Sequence, residues 1–197
     1  MIRLLGKLIE ILIYKQKQIE ILNVRLKPNT FIDKFFYVGA GSYFNLSNGF
    51  KELTIKENVS ARKNCNFTLY PNASLIIHEN VFFNNYCSIN CLGKIEIGAN
   101  TLFGEGVKIY DHNHLYGLNK ARVLTVERDE FDIGSVKIGA NCWIGSNVTI
   151  LNNVVIGDNV IIGANCLIFS NIDSNSIVKL KSDLIVTAAP PAPNAPK

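Results

Sequence analysis

At 197 residues with 48% hydrophobic side chains, the chain carries enough apolar material for one domain with a sizeable core. Its 20 basic and 16 acidic residues leave a net charge of only +4, and the body of the chain has no Lys/Arg run, which argues against a nucleic-acid partner. Five cysteines, an odd number with no C-x-x-C pair, suggest neither a disulfide framework nor a metal site and suit a reducing cytoplasm.

The first element runs from Met1 to about Leu26. Leu4, Leu5, Leu8, Ile11, Leu12, Ile19 and Leu22 recur at helical intervals ahead of Pro28, which predicts an amphipathic helix over residues 1–27. No small-residue cleavage site follows it, so it does not read as a secretory signal. Arg3, Lys7 and Glu10 break the apolar run, so it does not read as a membrane-crossing helix either. Two roles stay open. The helix caps the exposed edge of the following domain, or its cations, Arg3, Lys7, Lys15 and Lys17, hold it on an anionic membrane surface. The corresponding locations are the cytoplasm and the inner leaflet.

From residue 28 to 188 the dominant signal is a six-residue repeat. It is clearest at Ile138, Ile144, Ile150, Ile156, Ile162 and Ile168. Gly follows at 139, 145, 157 and 163, and a small or β-branched residue stands four positions on at Cys142, Val148, Val154, Val160 and Cys166. Neither a 3.6-residue helix nor a simple alternating strand yields this period. Short strands joined by tight turns do, three to a triangular coil, with stacked coils burying the Ile column. The glycines and the Asn/Asp residues are read as turn positions that tolerate left-handed backbone angles.

Upstream, Ile77, Phe83, Ile89, Ile97, Phe103 and Ile109 hold the phase, with two extra residues before Ile97. Ile55, Ala61 and Phe67 form another set, and Val38, Phe44 and Phe50 a worn first coil. The expectation is an all-β solenoid of about six coils, interrupted by one long loop at 115–136. Cys65, Cys87, Cys142 and Cys166 fall at inward small-residue positions and are expected to behave as small hydrophobes. The Pro/Ala-rich end, 189–197, reads as a disordered tail.

The chain has three histidines, His78, His112 and His114. The last two precede the interruption in Ile109-Tyr110-Asp111-His112-Asn113-His114, and continued alternation from inward Ile109 turns both outward. An outward histidine is either a solvated surface residue or a site residue.

At this point the sequence resembles a known superfamily. Gly106-Val107-Lys108-Ile109 leading to His114, then the long interruption, then Ile138-Gly139-Ala140-Asn141-Cys142-Trp143-Ile144-Gly145-Ser146-Asn147, is similar to the hexapeptide-repeat acyltransferases. The likeness is strongest to their maltose, galactoside, antibiotic and polysaccharide O-acetyltransferase branch. It implies a left-handed parallel β-helix and an acetyl-CoA-dependent O-acetyltransferase acting on a sugar hydroxyl in surface polysaccharide biosynthesis. It further implies a homotrimer with each site between two subunits, and no metal cofactor. It places the catalytic base at His114, with His112 second, because a near-neutral imidazole can take the proton of an attacking hydroxyl. The oxyanion donor would be a backbone N–H near Gly145 and Ser146.

By the same resemblance, the acceptor is met by Asn84, Asn85 and Asp111. The coenzyme is met by Trp143, Gly145, Ser146, Gly163, Ala164 and Ser170, with Lys179 and Lys181 as phosphate partners or simply solvated charges. Asn84 is equally a turn residue, and Trp143 equally an outward aromatic at a subunit contact. After Asp173-Ser174-Asn175-Ser176 the family's Gly-x-Pro-Ala-Lys turn is missing, which bears on the nucleotide end of the coenzyme.

Rival readings share the fold. They are N-acetylation of an amino sugar nucleotide, antibiotic acetylation, a non-catalytic solenoid, and a γ-type carbonic anhydrase with zinc on three histidines. The last family spaces its final histidine pair five residues apart, where His112 and His114 stand two apart.

Overall fold

A computed structural model describes residues 2–181. The predicted tail at 189–197, and 182–188 of the predicted domain, lie outside the described residues. A helix, Ile2–Arg25, precedes a left-handed parallel β-helix of six coils and the start of a seventh.

Each coil contributes one strand to each of three parallel sheets, the faces of a triangular prism. On the first face Ile32, Ile55, Ile77, Ile97, Ile138 and Ile156 lie in register. On the second, Val38, Ala61, Phe83, Phe103, Ile144, Ile162 and Val178 do so. The third stacks Phe44, Phe67, Ile89, Ile109, Ile150 and Ile168. In-register strands set like above like at the inter-strand spacing. Phe44 accordingly stacks on Phe67, and Phe83 on Phe103, each with centroids 4.8 Å apart.

The corners explain the Asn content. Asn58, Asn80, Asn100, Asn141, Asn159 and Asn175 all sit at φ between 55° and 63°, a left-handed region that Asn tolerates better than most residues. Their side chains hydrogen-bond in one ladder, at 2.9–3.3 Å per rung. The repeat glycines have another role than the sequence suggested, since Gly139, Gly145, Gly157 and Gly163 are not among the positive-φ residues. A Cβ on Gly145 would come within 2.6 Å of the Ala164 backbone nitrogen, so the residue is small because the next coil passes against it.

Two further expectations change. The first coil is set by Ile32, Val38 and Phe44. Phe50 is buried instead at the following corner, where the next coil carries Ala73. The long interruption is a β-hairpin and not a loop. His112–Leu118 pairs antiparallel with Leu124–Ile133, and the solenoid resumes with Ser135–Ile138. Asn119 closes the hairpin end, its side-chain oxygen accepting the N–H groups of Ala121 and Val123.

The helix meets the solenoid through its last turns. Ile21 and Val24 join the core beside Val38 and Phe44, around a cleft of about 320 Å³, and Arg25 donates to the Asp33 carbonyl at 2.6 Å. Leu5, Leu8, Ile9, Ile11, Leu12 and Ile19 stay exposed. No helix among the described residues is long and apolar enough to cross a membrane.

Ile156 is 1% exposed between Ile138 and Ile172. Ile156→Asp buries an unpaired carboxylate there, and the expected loss is about 4 kcal/mol or more. Urea denaturation of the purified variant measures it, and an unshifted midpoint would refute the register.

Candidate functional site

The hairpin leaves the solenoid from the corner between the third and first faces, and Asp111 is where it departs. In successive coils the inward position here is held by Leu46, Leu69 and Cys91, and Asp111 follows them in register. A carboxylate thus stands in an apolar column. It is 0% exposed, so its charge must be met locally. Oδ1 accepts the Leu92 N–H at 2.9 Å and the His112 Nδ1–H at 3.1 Å. Oδ2 accepts the Gly93 N–H at 2.8 Å and the Cys91 thiol at 3.3 Å. Burial, and then the Asp111 charge, push the Cys91 thiol up, which keeps its S–H available to donate. Expected to touch the acceptor, Asp111 is instead consumed by its own chain.

His112 was expected outward. The strand bends at Asp111, and the ring is largely buried, its side chain 13% exposed. It meets Phe131 edge-on at 5.3 Å, with Tyr110 at 6.2 Å and Tyr70 at 6.4 Å. His114 is exposed and leans on Phe131 at 4.7 Å. Its Nδ1 lies 3.0 Å from the Glu127 carbonyl oxygen. A carbonyl only accepts, so Nδ1 carries the proton, and in the neutral ring Nε2 keeps its lone pair.

The hairpin register supplies that carbonyl. His114 faces Phe131, but Tyr116 faces Val126, so Glu127–Glu130 leave the ladder opposite Leu115. On the other side of the hairpin base, Asn113 donates to Asn152 at 2.8 Å and Asn152 donates to Asp132 at 3.5 Å.

The remaining predicted residues fall elsewhere. Asn84, Asn85, Gly145, Ser146, Gly163, Ala164 and Lys179 occupy the corner between the second and third faces, as the stacking of Asn84 on Phe103, Gly145 on Ile162 and Gly163 on Val178 shows. Lys181 follows, exposed. Asn84 Oδ1 accepts the Asn85 N–H at 2.9 Å, and Asn85 Oδ1 accepts the Lys63 N–H at 3.3 Å, so both serve the turn. Of the two expected oxyanion donors, the Gly145 N–H is spent on the Ile162 carbonyl at 2.7 Å. The Ser146 N–H takes no partner among the described residues. Ser170 shares the histidines' corner, two coils further on, and is exposed. Trp143 projects from the second face between Leu102 and Ile161. One chain therefore sets the histidines on a different corner from most of the predicted coenzyme contacts, Ser170 excepted.

His78 lies on neither corner, its Nε2 3.6 Å from Glu96, and no group of three metal-binding side chains occurs among the described residues. All five cysteines are buried. The sequence reasoning missed Phe131 and the Glu127 carbonyl. An Asp at an inward apolar position was the available signal that the chain turns out there.

Residues 135–170 match the family described as bacterial transferase hexapeptide (six repeats). No curated protein matches the sequence. Among solved structures, the chain is similar to a maltose O-acetyltransferase from Clostridium difficile 630, at 25% identity and TM-score 0.49, over 76% of this chain and 64% of that one. It is similar to a hexapeptide-repeat acetyltransferase from Vibrio cholerae O1 biovar eltor complexed with acetyl coenzyme A, at 20% identity and TM-score 0.47, over 72% and 64%. A third is an N-acyltransferase from Bacillus cereus in complex with dTDP and 3-hydroxybutyryl-CoA, at 18% identity and TM-score 0.46, over 76% and 74%. The chain spans 64% of the length of the first two. Over 135–170 the chain thus matches the bacterial transferase hexapeptide repeat, and the matched segment folds as coils of the parallel solenoid.

Proposed function

We propose that the chain is an acetyl-CoA-dependent O-acetyltransferase of a sugar hydroxyl, acting in surface polysaccharide biosynthesis, with His114 as general base. The observation that carries this reading is the Glu127 carbonyl on His114 Nδ1, which leaves the Nε2 lone pair on an exposed ring. In the step inferred, the acceptor hydroxyl gives its proton to Nε2 as its oxygen attacks the thioester carbonyl. The tetrahedral oxyanion would be met by the Ser146 N–H of a neighbouring copy, a group with no partner among the described residues. Its collapse breaks the C–S bond, and the imidazolium returns the proton to the leaving thiolate. No covalent enzyme intermediate is needed.

With the histidines and most of the expected coenzyme contacts on separate corners of one chain, a neighbour's corner would complete the site, in keeping with the homotrimer that the resemblance implies. In support, Leu102, Trp143, Ile161 and Ile177 form an in-register, exposed apolar stripe on the second face. Such a stripe on a soluble protein marks an interaction surface.

The test is acetyl-CoA turnover against a panel of sugars, amino sugar nucleotides and aminoglycosides, with product mass spectrometry. An acetyl ester on a sugar is the expected product, and an amide product would move the assignment to N-acetylation. His114→Ala should lower kcat by about 10²–10⁴-fold with an unchanged melting temperature, and an active variant would refute the base.

The helix carries a second part of the proposal. Its exposed leucines and isoleucines, with Lys7 and Lys15 also exposed, suit the surface of an anionic membrane at the inner leaflet. Full-length protein should co-sediment with phosphatidylglycerol-containing vesicles, less so at high salt. Leu8→Ser/Ile9→Ser/Leu12→Ser, which leaves Ile21 and Val24 in the core, should stay folded and lose the binding. Equal sedimentation of the two proteins would refute this role.

A further inference from the structure

We propose that Asp111, His112 and Phe131 form a clasp that holds His114 in the orientation and tautomer of a base, making His112 a positioning residue and not a second base. The inference rests on the role given to His114 above.

Asp111 is the anchor. Its carboxylate takes four donors from two places: Leu92, Gly93 and Cys91 on the preceding coil, and His112 at the hairpin base. Its backbone carbonyl takes the Gly134 N–H at 2.7 Å, where the hairpin returns. Both ends of the hairpin are thereby fixed to one buried residue. Every side-chain partner donates, so an amide in its place would turn an NH₂ toward another donor. A leucine, as stands in this column at 46 and 69, would be cheaper for the core but would leave the Leu92 and Gly93 N–H groups unmet.

His112 carries the constraint outward. Its Nδ1–H is held by Asp111, and its ring presses edge-on against Phe131. Phe131 in turn lies against His114, its register partner. The ring of Phe131 thus touches both histidines. Immediately before it in the chain, Glu127–Glu130 leave the ladder and carry the Glu127 carbonyl onto His114 Nδ1. A shift of Phe131 moves that carbonyl with it, and the His114 proton is then free to settle on Nε2, the nitrogen it prefers in a free histidine. With the proton there, the lone pair points at the protein and not at an acceptor.

The experiment is ¹⁵N-histidine NMR of the full chain. It needs no substrate, and only three histidines have to be assigned. Wild-type His114 should show a protonated Nδ1 and an unprotonated Nε2 in its neutral form. His112→Phe keeps a ring against Phe131 but removes the bond to Asp111, and Phe131→Leu removes the shared ring. In both, the His114 tautomer should turn over toward Nε2–H. Turnover with the sugar found active should fall by about 10²-fold in kcat, with KM for acetyl-CoA little changed. Phe131→Tyr should restore both readouts. An unchanged His114 tautomer in the two variants overturns the clasp. If wild-type protein transfers no acetyl group while the tautomer still turns over, the base assignment fails and the clasp stands.

Discussion

Stacking in register is the constraint on which everything else in this protein depends. Each inward side chain lies over its counterpart in the next coil, so a coil keeps its path only if its corners turn alike and its neighbour fits against it. Asn at left-handed φ provides the turns, and the absence of a Cβ at Gly145 provides the clearance. A scaffold so regular has few places for chemistry, because inward positions are committed to the core and face positions to neighbouring strands. Reactive groups belong at corners, or where the chain departs from the coil altogether.

Asp111 makes that departure possible. Among the described buried polar residues, Ser42, Thr68, Ser74, Thr101 and Asp111, it is the one carboxylate, and it is fully satisfied. A buried charge adds little stability by itself, but removing its partners is costly, so it fixes geometry more than it holds the fold together. Here the fixed geometry is the exit and return of the hairpin. The Asn113–Asn152–Asp132 chain on the other side of the same base adds a second attachment. The two histidines project from a platform held on both sides and not from a free loop.

How much of this was legible in the sequence follows from what kind of interaction set each feature. The Ile columns were readable because a six-residue period has no other simple cause, and Ile97, Ile138 and Ile156 sit where the spacing put them. The first coil is offset by one element because Phe50 holds the phase without being a strand residue, while Ile32, seven residues past the helix end at Arg25, opens the coil in the same six-residue phase. The glycines were given a dihedral reason when the true one is a close approach from the next coil, which no single repeat reveals. The hairpin was hidden for a related reason. Its strands pair with each other and bury little, so Leu124, Val126 and Ile133 are exposed and show no core alternation. His114 was found by motif. Its partners, a backbone carbonyl and the ring of Phe131, depend on a register shift between two strands that local pattern does not encode.

The hairpin also bears on how the chain finds its fold. Elsewhere each coil closes on the next over a short stretch, as the Asn141–Asn159 rung, 18 residues apart, illustrates. Across the insertion the equivalent rung, Asn100 to Asn141, spans 41 residues. For a flexible chain the longer closure costs only about 0.7 kcal/mol more, a small tax on stability. In a quasi-one-dimensional array, however, structure spreads from neighbour to neighbour. The long step divides the molecule into four coils that can zip from one side and two that can zip from the other. The coils on either side of Asp111 meet across that long step, so the segment that carries the histidines lies at the seam between two blocks of locally closed coils.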